Sequence, residues 1–384
     1  MMRGVVVLSA GLSAALAMQS APAALFSPAP FSPVRVGTGS GTALVADINN
    51  DGEMDLLTRH LLSRRITVSL GAGSGRFRPP ATLSLDYSPG DMKLGDVNAD
   101  GVLDLAITPG TTDIVHVLLG DGRGSFVPAA GSPFTVSDAA DELNKRTLHM
   151  VDLDEDGHLD LITANGRRRN TFTALFGDGR GGFRRGPAVP LESGRDRYWY
   201  AFGDLDGDGH LDVATASNGF DGGAGQPGRV LVQSGDGRGA FTPMSPAFSL
   251  PADAGPVAGA DMNGDGRLDV AIAHSSGGVS LLLNAGRGRF TPAPGSPIPL
   301  GSRGYALVAE DVNADGQPDL VAATVDSVTV LLATPSGYAH APGSPFRAGP
   351  GAFNLALADV NKDGRLDIAA SSFEGNGVTV LLAR

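Results

Sequence analysis

A nine-residue pattern, Asp-x-Asn/Asp-x-Asp-Gly-x-x-Asp, occurs seven times along this 384-residue chain, starting at Asp47, Asp96, Asp152, Asp204, Asp261, Asp311 and Asp359. The copies lie 49, 56, 52, 57, 50 and 48 residues apart, and none lacks a required residue. A sustained period of this length means that one supersecondary unit is being stacked again and again. The surroundings of each copy repeat as well. A short apolar strand precedes it, as at Ala43–Ala46 or Leu355–Ala358, and a second follows, as at Leu105–Ile107 or Val270–Ile272. A third strand comes after a variable loop, as at Val115–Leu119 or Val279–Leu283. A Gly-rich turn ending in Phe, at Phe77, Phe126, Phe183, Phe241 and Phe290, leads to a fourth; Tyr338 takes the place of Phe in the sixth unit.

Four strands in roughly 50 residues is the size of one propeller blade. The chain therefore reads as an all-β protein, a seven-bladed β-propeller of four-stranded blades. Blades are expected over about 42–85, 91–136, 146–191, 198–250, 256–300, 304–347 and 353–384. The seventh unit stops after its third strand, at Val378–Arg384. Its fourth strand is expected from the other end of the chain, residues 26–36, because Phe26-Ser27-Pro28-Ala29-Pro30 matches Phe290-Thr291-Pro292-Ala293-Pro294 at four of five positions. Such a closure leaves no open sheet edge. Composition agrees: 55 Gly and 26 Pro exclude a mostly helical chain, while 42% hydrophobic residues suffice for a core.

The repeated loops carry the chemistry. Positions 1, 3, 5 and 9 offer oxygen side chains: Asp47, Asn49, Asp51 and Asp55; Asp96, Asn98, Asp100 and Asp104; Asp152, Asp154, Asp156 and Asp160; Asp204, Asp206, Asp208 and Asp212. The last three loops offer Asp261, Asn263, Asp265 and Asp269; Asp311, Asn313, Asp315 and Asp319; Asp359, Asn361, Asp363 and Asp367. Position 6 is always Gly. Position 7 varies freely, as Glu53, Val102, His158, His210, Arg267, Gln317 and Arg365. A position that accepts Val and Arg alike contributes its backbone carbonyl. This is the ligand logic of the first seven positions of an EF-hand loop, with an Asp at position 9 closing the site. Hard oxygen ligands favour Ca²⁺, up to seven ions, over transition metals. The third and fourth loops carry four carboxylates each and are expected to bind most tightly.

Charge follows the same pattern. The formal net charge is −12, and the ligand positions hold 23 of the 41 acidic residues, so 18 acids face 29 bases elsewhere. An acidic chain of this kind is no general nucleic-acid binder. The absence of Cys excludes disulfides, thiolate metal sites and Cys nucleophiles. Met1-Met2-Arg3, the apolar run Gly4–Ala17 and the small residues of Gln19–Ala24 read as a signal peptide over 1–24. No other segment could span a membrane. The mature chain is expected to be secreted or periplasmic, soluble and monomeric.

These units resemble FG-GAP/VCBS repeats, as in the seven-bladed propeller of integrin α subunits, in many secreted bacterial proteins and in some fungal lectins. The resemblance covers about residues 26–384. It implies Ca²⁺ between the first and second strands of each blade. It does not carry over an integrin's partner, since no Arg-Gly-Asp occurs and the FG-GAP signature itself is loosely kept.

Partners are expected on the face opposite the acidic loops, where variable loops gather. Arg167, Arg168 and Arg169 lie in one such loop, and Arg195, Arg197, Tyr198, Trp199 and Tyr200 lie at the start of the next blade. Basic and aromatic groups together suit an anionic glycan. The same residues could equally be a solvated Arg cluster beside packed aromatics. The expectation is a non-enzymatic, lectin-like or adhesion module for a glycan or an extracellular protein. The alternative is a calcium-dependent polysaccharide lyase using Arg197, Tyr198 and His149.

Overall fold

The computed structural model describes residues 23–110, 112–136, 147–165, 171–190, 198–217, 227–244 and 247–384. Residues 1–22 of the expected signal peptide, with Arg167–Arg169, Arg195 and Arg197, lie outside the described residues.

The chain forms seven antiparallel sheets in sequence order, the seven-bladed propeller expected from the repeat. Blade 1 runs Ser40–Ala46, Asp55–His60, Arg65–Ser69 and Ala81–Ser84, and blade 3 runs Leu148–Val151, Asp160–Asn165, Thr171–Gly177 and Phe183–Pro190. In blades 2, 4, 5, 6 and 7 the outer strand is split into two pieces, such as Phe126–Pro128 and Phe134–Thr135, both on the third strand. A Ser-Pro step fills the break in four of these blades. The hydroxyls of Ser132, Ser296, Ser344 and Ser32 accept the amides of Val117, Leu281, Val330 and Val380 at 2.9–3.0 Å, so the ladder stays satisfied while the strand bends.

Seventh-blade closure is resolved in register. Phe26, Ser27 and Pro28 pair with Ala383, Leu382 and Leu381, and Val34 and Arg35 pair with Val378 and Gly377. Ser32 repeats the role of the other step serines, so the N-terminal segment is a displaced outer strand. Phe26 is 2% exposed and meets Phe346 of blade 6 edge-on at 5.5 Å between ring centroids.

Apolar packing sits between blades. One cluster joins blades 6 and 7 through Val321, Val330, Leu355 and Ile368; another joins blades 4 and 5 through Ala214, Val230, Val270 and Leu282. Second strands are covered on both faces, which is why Asp212–Ser217 and Asp367–Ser372 are buried throughout and rich in small residues. Each sheet thus depends on two neighbours, and stability belongs to the closed ring. Among the described residues no helix is long and apolar enough to cross a membrane.

Removing residues 26–36 is therefore expected to lower the melting temperature of the whole protein, and Phe26→Ala to cost about 3–5 kcal/mol. Thermal and urea melts check both. A truncated protein that melted with the intact one would show that the ring does not rely on this strand.

Candidate metal loops and their surroundings

Each acidic loop leaves the inner strand of its blade and enters the second strand at position 9. Seven buried aspartates occupy that position: Asp55, Asp104, Asp160, Asp212, Asp269, Asp319 and Asp367, all 0–1% exposed. In every blade Oδ2 accepts the amide of loop position 2 (Ile48, Val97, Leu153, Leu205, Met262, Val312 or Val360) at 2.7–3.2 Å. Oδ1 accepts an amide at the end of the third strand (Gly71, Gly120, Gly177, Gly235, Asn284, Ala333 or Ala383) at 2.6–2.8 Å. One side chain thus ties the loop to the centre of its own sheet. In blade 4 Oδ2 of Asp212 also accepts the amide of Asp206 at 3.1 Å. Oδ1 keeps a second lone pair in every blade, so this role leaves room for a metal.

The remaining positions close the loop on itself. The position 5 carboxylate accepts the position 7 amide in all seven copies at 2.8–3.0 Å. Position 1 accepts the amide of the position 6 glycine at 2.7–3.0 Å. Those glycines lie at φ between 81° and 90°, the left-handed region that a side chain disfavours. Asn50, Ala99, Glu155, Ala314 and Lys362, at position 4, also have positive φ. Where position 3 is Asn, as Asn49, Asn98, Asn263, Asn313 and Asn361, its amide donates to the position 5 carboxylate at 2.9–3.1 Å.

Loops 3 and 4 differ, because an Asp at position 3 has no proton to donate. Carboxylate oxygens of Asp152, Asp154 and Asp160 converge within 4.8 Å, as do those of Asp204, Asp206 and Asp212. In loop 3, Oδ1 of Asp152 and Oδ1 of Asp154 are buried without a hydrogen-bond partner. Two orphaned acceptors within one carboxylate cluster suit a cation or a shared proton. Burial pushes the carboxyls of Asp160, Asp212, Asp319 and Asp367 up to about 6; the two amides oppose this, and the other carboxylates of the loop add to it. Burial likewise raises Asp154, reinforced by the charges of Asp156 and Asp152.

Two further features of these loops are readable in the sequence. Position 2 is apolar in every copy and buried in every blade, with Leu205 0% and Met262 7% exposed. Its side chain anchors the loop in the interblade core while its amide meets position 9. The fixed Asp at position 9 marks a structural tie as well as a candidate ligand.

On the other face, Trp199 is half-buried and packs against the cluster between blades 4 and 5. Tyr200 is buried between blades 3 and 4, so the alternation of this strand sends the two rings to opposite neighbours. Tyr198 opens the same strand opposite Ser217. His149 lies edge-on to Tyr200 and Phe202 at 5.5 and 5.1 Å, and burial pushes it down to about 4.

The FG-GAP-like repeat matches residues 47–107, 96–163, 152–215, 261–322 and 311–370, and an FG-GAP repeat matches 199–232. The chain belongs to the FG-GAP-like repeat family. No curated protein matches it. Among solved structures it is similar to BBS1N, crystallised in complex with ARL6DN: TM-score 0.60 at 13% identity, covering 94% of this chain and 97% of that one. An Agrocybe aegerita lectin, described as recognising non-reducing terminal N-acetylglucosamine, gives 0.55 at 19% identity over 79% of each chain. Saccharomyces cerevisiae Sqt1 gives 0.55 at 14% identity over 88% of this chain and 83% of its own. These likenesses establish the fold.

Asp319→Ala is expected to orphan the amides of Val312 and Ala333 and to cost about 2–6 kcal/mol even in chelator, at 1–3 kcal/mol for each lost acceptor. Asp315→Ala, at the exposed position 5, is expected to cost less than about 1 kcal/mol under the same conditions. Parallel denaturation curves check the contrast, and equal losses would refute the separate role of position 9.

Proposed function

We propose that the protein is a calcium-stabilised binding module that acts without catalysis. The observation that carries this is loop 3, where two buried, unpartnered carboxylate oxygens converge with a third carboxylate. Calcium would be held by positions 1, 3 and 5, by the position 7 carbonyl and by position 9 of each loop. In the five loops with Asn at position 3, the side-chain oxygen would turn inward. The ion supplies positive charge where 23 Asp gather on one face; seven ions would bring the formal charge from −12 to about +2. When free calcium is a hundred times Kd, each filled site adds about 2.7 kcal/mol to stability.

A ring stiffened on one face presents its variable loops on the other. The lectin gives a precedent for a glycan on such a scaffold, and the BBS1N–ARL6DN complex a precedent for a protein partner. We assign the chain an extracellular or periplasmic role of this kind, with the signal-like N-terminus supporting export. The segment carrying Trp199 and the neighbouring arginines is the favoured contact region, so Trp199→Ala is expected to weaken binding while calcium stoichiometry holds.

A glycan array run with the mature protein in millimolar calcium, and again in chelator, tests the binding reading. Calcium-dependent hits support it; a folded protein that bound neither glycans nor cell-surface proteins would count against it. Melting in excess EDTA tests the calcium reading, with a large drop expected.

The size of that drop should depend on pH. Position 9 carboxyls with folded values near 6, against 3.8 unfolded, take up protons in the metal-free native state between pH 6 and 4. Protonation relieves the metal-free protein and competes with calcium, so the stability difference between calcium and chelator shrinks as pH falls from 7.5 to 5. His60, His116, His149 and His274, lowered by burial, destabilise the fold on acidification in both states and cancel in the difference. A calcium-dependent melting shift that stayed constant over this range would exclude the buried carboxylates as ligands.

A further inference from the structure

Among the described residues three adjacent loop pairs touch, each from position 4 of one loop to position 6 or 7 of the next. Glu155, position 4 of loop 3, reaches His210, position 7 of loop 4, at 2.8 Å. Lys362, position 4 of loop 7, reaches Glu53, position 7 of loop 1, at 2.7 Å across the ring closure. Asn50, position 4 of loop 1, donates to the carbonyl of Gly101, position 6 of loop 2, at 3.1 Å. Position 4 of loops 2, 4, 5 and 6 is Ala99, Gly207, Gly264 and Ala314, with no side chain able to reach across. Arg267, at position 7 of loop 5, instead turns back to the Asn284 carbonyl and to Asp265 of its own loop.

Position 7 is where the backbone carbonyl would meet the ion, and position 4 stands between ligand positions 3 and 5. A filled site immobilises its own position 4 and, where that side chain reaches across, the position 6 or 7 residue of the next loop. The geometry points to calcium sites 3 and 4 as a coupled pair, with Glu155 and His210 as the positioning residues that transmit occupancy between them. Sites 7, 1 and 2 form a second linked series, and sites 5 and 6 bind independently. The pair at 3 and 4 carries the inference furthest, because those loops also hold the two converging carboxylate groups. The turn of blade 4 closes over the bridge: a Cβ on Gly237 would lie 2.6 Å from His210 Nδ1 and 3.0 Å from Glu155 Oε2. Both partners are about two-fifths exposed, at 41% and 42%, so the coupling is modest, a factor of roughly two to five.

This inference rests on the calcium reading, and the experiment separates the two. Calcium is titrated by competition with a fluorescent chelator into the whole mature protein and into Glu155→Gln, His210→Ala and the double variant. Each single change is expected to weaken the tight class of sites two- to fivefold without changing total stoichiometry, and the double variant to lose no more than either single. Disabling site 4 with Asp208→Ala is expected to weaken site 3 by the same factor and to abolish the further effect of Glu155→Gln. Additive losses in the double variant, or a site 3 untouched by Asp208→Ala, overturn the coupling while leaving calcium binding intact. A wild-type protein that takes up no calcium overturns the calcium reading and the coupling with it.

Discussion

A single carboxylate per blade, cut off from water and held by two backbone amides, is the interaction on which the architecture turns. In blade 6, Asp319 receives Val312 from the loop and Ala333 from the third strand. It therefore defines where the first strand ends, where the second begins and how both sit on the third. The cost is a buried negative charge, visible in the carboxyl pushed up to about 6. Two amides satisfy its oxygens but leave the charge. A proton or a divalent cation would offset that charge, so the fold's structural tie and the calcium site we propose meet at one residue.

Ring closure multiplies that local unit. Among the described residues the apolar clusters lie between neighbouring blades, and blade 7 is incomplete without the N-terminal strand. Ser40 of blade 1 donates to the carbonyl of Ser372 in blade 7 at 2.5 Å, and the Lys362–Glu53 pair spans the same seam on the acidic face. The junction of first and last blades is thus fastened on both faces as well as through its core.

Repetition made most of this legible before any coordinates. Seven copies of a nine-residue pattern identify the blades, and Phe26–Pro30 mirrors Phe290–Pro294 closely enough to place the closing strand. Position 6 glycines announced their backbone geometry because only Gly adopts it without strain. Position 4 did not, since Ala, Asn, Glu and Lys there carry no such mark, yet all have positive φ. The purpose of the Ser-Pro step, filling a gap in the ladder, needed the third strand beside it.

Residue spacing by itself determined the number of blades, the order of strands and which side chains crowd into each loop, because these are local and periodic. Tertiary structure alone decided what depends on neighbours distant in sequence. It placed the second oxygen of each position 9 aspartate on an amide 14–23 residues away, and Glu155 against His210 at a separation of 55. It also sent Trp199 and Tyr200 into different interblade clusters. Those contacts arise from how one blade leans on the next, and the pattern within a single repeat holds no record of that angle.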